Sequence, residues 1–190
     1  MFLATSNDGK IQDFLRLGVN LTARAPRSDR EADGTIYEIV AQKARDEDMG
    51  AVVEDTCLYV DGHPEVGNRI KYQEYRLPEM LGCRALWVTG IGVKTEVGIE
   101  IYVGRTPGTI IAPTSAFHDC DFSERDFGRF FRPDGVDVTY STLRSIDKGV
   151  KDSKSAYYSA RGRAVRAFLR HAVEFSVPLE GEWTGAWQEQ

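Results

Sequence analysis

The distribution of apolar and polar residues predicts a chain in which strands and helices alternate. An apolar strand over residues 2–4 is followed by a polar turn, and apolar residues then recur at helical spacing until Gly18. The same spacing predicts a second helix over residues 35–49, ended by Gly50, and a late helix over residues 159–175. This alternation is typical of an α/β protein.

Strand-like sequence dominates the middle of the chain. Residues 51–61, AVVEDTCLYVD, predict a strand that runs into a polar turn and back into apolar residues, and residues 62–82 predict a loop with a short helix. Three further runs, RALWVTGIGV, EVGIEIYVGR and GTIIAP, are separated by glycine or charge and predict a meander. The tail PLEGEWTGAWQEQ carries turn residues and two tryptophans, so we expect it to pack loosely or to form an interface.

Together these elements predict an α/β fold in a single domain over residues 1–190. We expect it to be bilobed, with a long mixed and curved β-sheet flanked by helices and a substrate cleft between the lobes. The length of 190 residues is close to that of one ordinary domain and is enough to bury a core.

The composition of the chain argues against nucleic-acid and membrane partners. The net charge of −5 provides no overall basic field for duplex nucleic acid, so we expect no nucleic-acid partner. No apolar run approaches the roughly 18 residues of a membrane span, and no signal-peptide pattern opens the sequence, so we expect no membrane partner. Cys57, Cys83 and Cys120 are odd in number and far apart, which fits reduced thiols and a cytoplasmic location.

The first polar turn has the character of an anion-binding site. Residues 5–10, TSNDGK, follow the first strand and precede a helix, so backbone N–H groups and Lys10 could face a phosphate. The spacing differs from that of a Walker loop. The alternative is an ordinary helix cap made by Ser6 or Asn7.

The stretch VVEDTCL places two carboxylates, Glu54 and Asp55, at the end of an apolar strand. Neighbouring residues of a strand point to opposite faces, so we expect only one of the two to face a given site. Acidic residues that emerge from a buried strand are typical of a ligand crevice in α/β proteins. The alternative is a solvated hairpin turn.

A second candidate carboxylate, Glu31, lies in a loop upstream of the second helix. Glu31 and Asp55 together would make a hard oxygen site suited to Mg²⁺, which commonly takes one or two carboxylates and the phosphates of a substrate. Lys43 on the second helix would add a cation to the same pocket. Glu38 and Lys43 both lie on this helix, and the alternative for the two is an ordinary solvated helix surface.

Six segments occur in the same order as motifs of a known family: ATSNDGK, EADGTIYEIVAQKA, VVEDTCLYVD, GRTPGTIIAP, FRPDG and KSAYYSARGRA. By these motifs the chain resembles the inosine triphosphate pyrophosphatase family, the Ham1-like enzymes, over nearly its whole length. The resemblance implies an Mg²⁺-dependent hydrolase that converts nucleoside triphosphates to monophosphates and pyrophosphate. It also implies a homodimer.

The resemblance assigns roles residue by residue. It implies that Glu31 and Asp55 bind the metal and that Asp55 and Lys10 are catalytic. The positions that match its substrate-binding residues are Thr5, Ser6, Asn7, Asp8, Gly9, Lys10, Lys43, Asp55, Thr56, Lys71, Phe127, Lys154, Ser159 and Arg161.

Two departures from the family pattern concern the base. The family's Phe-Gly-Trp-Asp-Pro segment is replaced by RDFGRFF, in which Phe127 keeps an aromatic ring, and its Ser-His-Arg motif has Ala160 in place of the histidine. We therefore expect intact triphosphate chemistry with altered base specificity. The alternatives are the same reaction on a pyrimidine or modified deoxynucleotide, and a nucleotide-binding module without turnover.

Overall fold

The structure is a computed structural model that describes residues 1–113, 126–147 and 153–188. The strands are β1 Phe2–Ala4, β2 Thr22–Arg24, β3 Ala51–Val60, β4 Arg84–Thr95, β5 Gly98–Ile110, β6 Phe131–Pro133 and β7 Phe175–Val177. The helices are α1 Asp8–Arg16, α2 Ile36–Asp46, α3 Ile70–Gln73, α4 Tyr140–Asp147, α5 Lys154–Tyr158 and α6 Ala160–Leu169, with short 3₁₀ turns at Gly67–Arg69, Glu74–Met80 and Phe127–Arg129. The predicted α/β class is confirmed.

The strands form one mixed sheet in the order β2-β1-β3-β4-β5-β6, and β7 pairs with β5. β1 runs parallel to β2 and β3, whereas β3, β4, β5 and β6 pair antiparallel. Because β1 has only three residues, its register with β3 extends to Leu3 opposite Val52. The edge of β3 beyond Val52 therefore meets the turn that follows β1, which is the kind of crevice where α/β sheets bind ligands.

Helices cover both faces of the sheet. On one face, α2 packs its buried residues, such as Ile36 and Val40, against Val53 and Cys57 of β3. On the opposite face, α1 and α6 pack Phe14, Val165 and Phe168 against a cluster that includes Val52. This alternation along β3 is the two-residue period expected of a strand that is buried on both sides.

Three predictions about individual strands and helices were wrong. β3 is one continuous strand without a polar turn, because the charged side chains of Glu54 and Asp55 find partners on the two faces of the sheet. The three runs of the predicted meander are two long strands, since Pro107 is accommodated inside β5 where pairing with β6 begins only at Gly108. The late helix ends at Leu169, and the chain then returns to the sheet as β7.

Within the described part of the chain, every helix is too short or too polar to cross a membrane. Cys57 and Cys83 are free thiols, and Cys120 lies outside the described residues.

The α6 helix approaches β5 most closely at Gly104. A Cβ at this position would lie 2.0 Å from the carbonyl oxygen of Ala160 and 2.4 Å from the backbone nitrogen of Ala164. Only a residue without a side chain lets the first turn of α6 lie directly on the sheet. That contact fixes where Arg161, in the same turn, can reach.

We expect Gly104→Ala to lower the free energy of unfolding by about 1–3 kcal/mol, because backbone atoms of α6 cannot move aside. Gly90→Ala is the matched control, since its Cβ would meet the side chains of Ile36 and Val40 and not backbone. Denaturant unfolding of both variants measures the difference. An unfolding midpoint for Gly104→Ala at or above that of Gly90→Ala would contradict this account of the packing.

Candidate active site

A polar cleft opens where β1 ends beside β3. It consists of two adjoining pockets that share Lys10, Glu31 and Lys71. The turn pocket has a volume of about 430 Å³ and includes Thr5, Ser6, Lys43 and Glu54 in its lining. The aromatic pocket has a volume of about 340 Å³, and its lining includes Asn7, Asp55, Thr56, Asn68, Phe127 and Arg161.

The cleft brings together most of the residues that the sequence singled out. Asp8, Gly9, Lys154 and Ser159 are the candidates that do not belong to the described lining of either pocket. Lys154 is exposed at the first residue of α5, whereas Ser159 is buried and caps α6 by accepting a hydrogen bond from the Gly162 backbone N–H at 3.1 Å.

The turn after β1 is ordered by its own side chains. The Thr5 hydroxyl accepts a hydrogen bond from the Asn7 backbone N–H at 3.1 Å, and the Asn7 side chain accepts one from the Lys10 backbone N–H at 3.2 Å. Asn7 is therefore the N-cap of α1, as the simpler interpretation of this turn predicts. The cap also directs the positive end of α1 towards the cleft.

Glu54 holds two cations from different helices. Its side chain is fully buried, with Oε2 2.8 Å from Lys10 Nζ and Oε1 3.2 Å from Arg161 Nε. Lys10 also donates to the Glu54 carbonyl oxygen at 3.0 Å, on the strand edge that β1 leaves open. Burial alone would raise the pKa of Glu54, but the charges of Arg161 and Lys10 lower that pKa to about 2. The carboxylate is thus ionised at neutral pH.

Asp13 of α1 is a second anchor, which the sequence did not point to. Its carboxylate accepts a hydrogen bond from Arg144 Nη2 at 2.9 Å and pairs with Arg161 Nη1. Arg161 is therefore clamped between Asp13 and Glu54, and these charges raise its pKa further despite burial. One feature of the sequence could have pointed to Asp13: it lies three residues after Lys10, so the two side chains share one face of α1.

Glu31, Lys43 and Asp55 meet on the α2 side of the cleft. Lys43 Nζ lies 2.9 Å from Glu31 Oε1 and 2.6 Å from Asp55 Oδ2. Although burial acts to lower it, the pKa of Lys43 is raised by these two carboxylates, and the pKa of Glu31 is lowered by Lys43 and Lys71 against the effect of its own burial. Lys71 pairs with the other Glu31 oxygen.

As expected, each pocket is lined by only one carboxylate of the Glu54–Asp55 pair: Glu54 lines the turn pocket, and Asp55 lines the aromatic pocket. The two side chains do point to opposite faces of β3, with Glu54 towards α1 and α6 and Asp55 towards α2. Both nevertheless line the cleft, because β1 ends early and the cleft wraps around the exposed edge of β3.

The carboxylate oxygens of Glu31 and Asp55 fit a hard divalent cation. Both converge on one ammonium group, which shows that this position attracts positive charge. Among the described residues, no three His, Cys, Asp or Glu side chains form a metal cluster. Two carboxylates could hold a hard divalent cation only together with ligands from phosphate and water.

Aromatic rings form the far wall of the cleft. Phe127 packs edge-on against Trp87, with ring centroids 5.3 Å apart, and Tyr140 packs on the same indole at 4.8 Å. Ala160, at the position of the family's histidine, is fully buried in this cluster. The chain thus offers the cleft the ring of Phe127, and no side-chain polar group from position 160.

We expect Glu54→Gln to lower the free energy of unfolding by about 3 kcal/mol, because it leaves the buried guanidinium of Arg161 with one carboxylate fewer. Asp134→Asn is the control, since Asp134 pairs with Arg84 on an exposed surface and should matter little. Urea unfolding of both variants at neutral pH measures the effect. Equal losses in the two variants would show that Glu54 does not stabilise the cluster.

The comparisons with known proteins agree with this architecture. The model of the Ham1 family matches residues 1–171. The Ham1 protein of Staphylococcus aureus has a similar fold, with a TM-score of 0.60 and 20% sequence identity, over 90% of this chain and 98% of that chain. Comparison with curated proteins gave no match. Because the family model spans most of its length, the chain belongs to the Ham1 family.

Proposed function

We propose that the protein is an Mg²⁺-dependent nucleoside triphosphate pyrophosphohydrolase that releases pyrophosphate and a nucleoside monophosphate. Membership of the Ham1 family supports a hydrolase of nucleotide metabolism, a pyrophosphatase of non-canonical nucleotides in general terms. The geometry of the cleft supports the metal dependence, the reaction and the roles of individual residues in this proposal.

One observation carries the proposal. Buried or half-buried carboxylates hold three cations at fixed positions around the N-terminus of α1: Glu54 holds Lys10 and Arg161, and Asp55 and Glu31 hold Lys43. Such an array binds a polyanion with little reorganisation, because the cations are already oriented. The three carboxylates balance the three cations, so the ligand that fits is a triphosphate accompanied by a divalent cation.

In this proposal the turn at Thr5–Asn7 and Lys10 neutralise the triphosphate, and Lys43 and Lys71 bind its oxygens from the opposite side. Phosphoryl chemistry depends mostly on positioning and charge neutralisation, so this arrangement supplies much of the catalysis. The carboxylate of Asp55 orients a water molecule for attack on the α-phosphorus, and pyrophosphate leaves towards the turn pocket.

Glu31 and Asp55 would hold Mg²⁺, whose chemical contribution is to neutralise phosphate oxygens and to favour the departure of pyrophosphate. Lys43 contacts both carboxylates. In the proposal, the same lysine would also bind a phosphate oxygen of the substrate.

We also propose that base selection is relaxed compared with that expected of the family. Strong selection needs buried polar groups that a wrong base leaves unpaired. Here Ala160 is buried in an apolar cluster, and Phe127 offers a ring face that any base can stack on. Arg161 remains as a hydrogen-bond donor in the aromatic pocket.

The homodimer that the resemblance implies stays a prediction.

We expect Asp55→Asn to fold normally and to release pyrophosphate at least about a hundredfold more slowly, because the change removes charge from the site at nearly constant volume. Asp61→Asn, beyond the same strand and outside both pockets, is the matched control. Pyrophosphate release with Mg²⁺ and a panel of nucleoside triphosphates is the measurement. A wild type that binds triphosphates without releasing pyrophosphate would instead identify a binding module.

We expect kcat/KM for ITP and XTP to exceed that for the standard deoxynucleotides by less than about a hundredfold, since a missing polar contact removes the strongest source of discrimination. The measurement compares ITP, XTP, dUTP and the four standard deoxynucleoside triphosphates under one set of conditions. A steeper preference for ITP over dATP and dGTP would show that other groups in the cleft still select hypoxanthine.

A further inference from the structure

We propose that the C-terminal strap, residues 175–188, positions Glu31 in the cleft. The match to the family model ends at residue 171, so the strap lies outside the region that the family model covers. The inference rests on the role proposed above for Glu31. Most of the tail is exposed, but its last described residues bond to the loop that carries Glu31.

The strap begins as part of the sheet. β7 pairs antiparallel with β5, with Val177 opposite Ile99 and Phe175 opposite Ile101. Val177 and Leu179 then pack against the core cluster beneath α2. The start of the strap is thereby fixed to β5, a central strand of the sheet, and the residues that follow extend to the loop that carries Glu31.

The end of the strap bonds to the backbone on both sides of Glu31. The Gln188 backbone N–H donates to the Glu31 carbonyl oxygen at 2.8 Å, and the Asp33 backbone N–H donates to the Ala186 carbonyl oxygen at 2.9 Å. Ala32 and Trp187 face each other as an antiparallel bridge between these two bonds. Glu31 therefore lies in a short stretch of two-stranded pairing that the strap completes.

Trp183 and Trp187 of the strap both contact the loop of residues 30–34. The guanidinium of Arg30 lies 3.8 Å from the ring centroid of Trp187, a cation–π contact directly before Glu31. Trp183 donates its indole N–H to the Ala186 carbonyl oxygen at 2.7 Å and packs over Gly34, where a Cβ would come within 2.8 Å of the ring. Contacts thus flank Glu31 on both sides.

The loop is held from two sides. On one side, the Asn68 amide donates to the Gly34 carbonyl oxygen at 3.1 Å. Asn68 and Arg69 both bond to the Asp33 carboxylate. In the part of the chain that the structure describes, the backbone–backbone hydrogen bonds of residues 30–34 outside regular elements go to the strap.

The side chains of Lys43 and Lys71 hold the Glu31 carboxylate and would themselves bind phosphate in the proposed function. A carboxylate that keeps its place while it shares its partners with a ligand needs a fixed backbone, to which the strap contributes.

The test is Trp187→Ala in the full-length chain, with Phe175→Ala as the matched control. Phe175 is an aromatic residue of the same strap, but it packs against Tyr37 and lies away from Glu31. We expect Trp187→Ala to raise the Mg²⁺ concentration for half-maximal pyrophosphate release about tenfold, as supporting contacts around a metal ligand do. We expect no such change in Phe175→Ala.

Two further measurements separate positioning from simple stability. Calorimetry with Mg²⁺ and a non-hydrolysable triphosphate analogue should show weaker binding in Trp187→Ala, and this loss should not add to that of Glu31→Gln in the double variant. Hydrogen exchange should become faster over residues 30–34 and stay unchanged over α2. Exchange that is unchanged over the loop, or losses that add fully in the double variant, would overturn the inference.

The same measurements keep the two proposals apart. A wild type that releases no pyrophosphate from any triphosphate overturns the proposed function, whereas faster loop exchange in Trp187→Ala still supports the strap as the element that fixes Glu31. Normal pyrophosphate release with an unchanged Mg²⁺ requirement in Trp187→Ala overturns the strap and leaves the proposed function in place.

Discussion

The buried carboxylate of Glu54 is the interaction on which the rest of the site depends. A charge without access to water must be paired, and Glu54 pairs with Lys10 from α1 and Arg161 from α6. Those two helices therefore have to lie at one end of the sheet, on the face opposite α2. Gly104 makes this position of α6 possible. Because Gly104 has no side chain, the first turn of α6 can approach the sheet closely enough for Arg161 to reach Glu54 on β3.

The short first strand gives this charge cluster access to a ligand. If β1 were as long as β3, its residues would pair with the edge of β3 at Glu54, and the carbonyl oxygen there would not be available to Lys10. Because β1 ends at Ala4, that edge of β3 has no neighbouring strand at Glu54 and Asp55 within the residues that the structure describes. Both faces of one strand then serve one cleft, with Asp55 and Lys43 on the α2 side and Glu54 and Arg161 on the other.

The parts of this fold that could be predicted from the sequence are those determined by local patterns. The helical spacing after the first strand and the cap at Asn7 lie within a few residues of one another, and both predictions agree with the structure. The continuity of β3 could not be predicted, because the partners of Glu54 lie 44 and 107 residues away in the chain. Without those partners, two adjacent carboxylates indicate a turn. The role of Asp13 was hidden for the same reason, since its partner Arg161 is 148 residues distant.

The cleft has two halves that are stabilised in different ways. Glu54, Asp13 and Arg161 are buried among regular elements, so their positions follow from the packing of the fold itself. Glu31 belongs to a loop, and its position depends on a segment near the C-terminus that pairs with it. In the proposed function, the Glu31 carboxylate would exchange a lysine partner for a cation, and its paired backbone would keep it in place. The half of the cleft held by the packing of the fold would then bind phosphate, and the half held by the strap would supply this carboxylate.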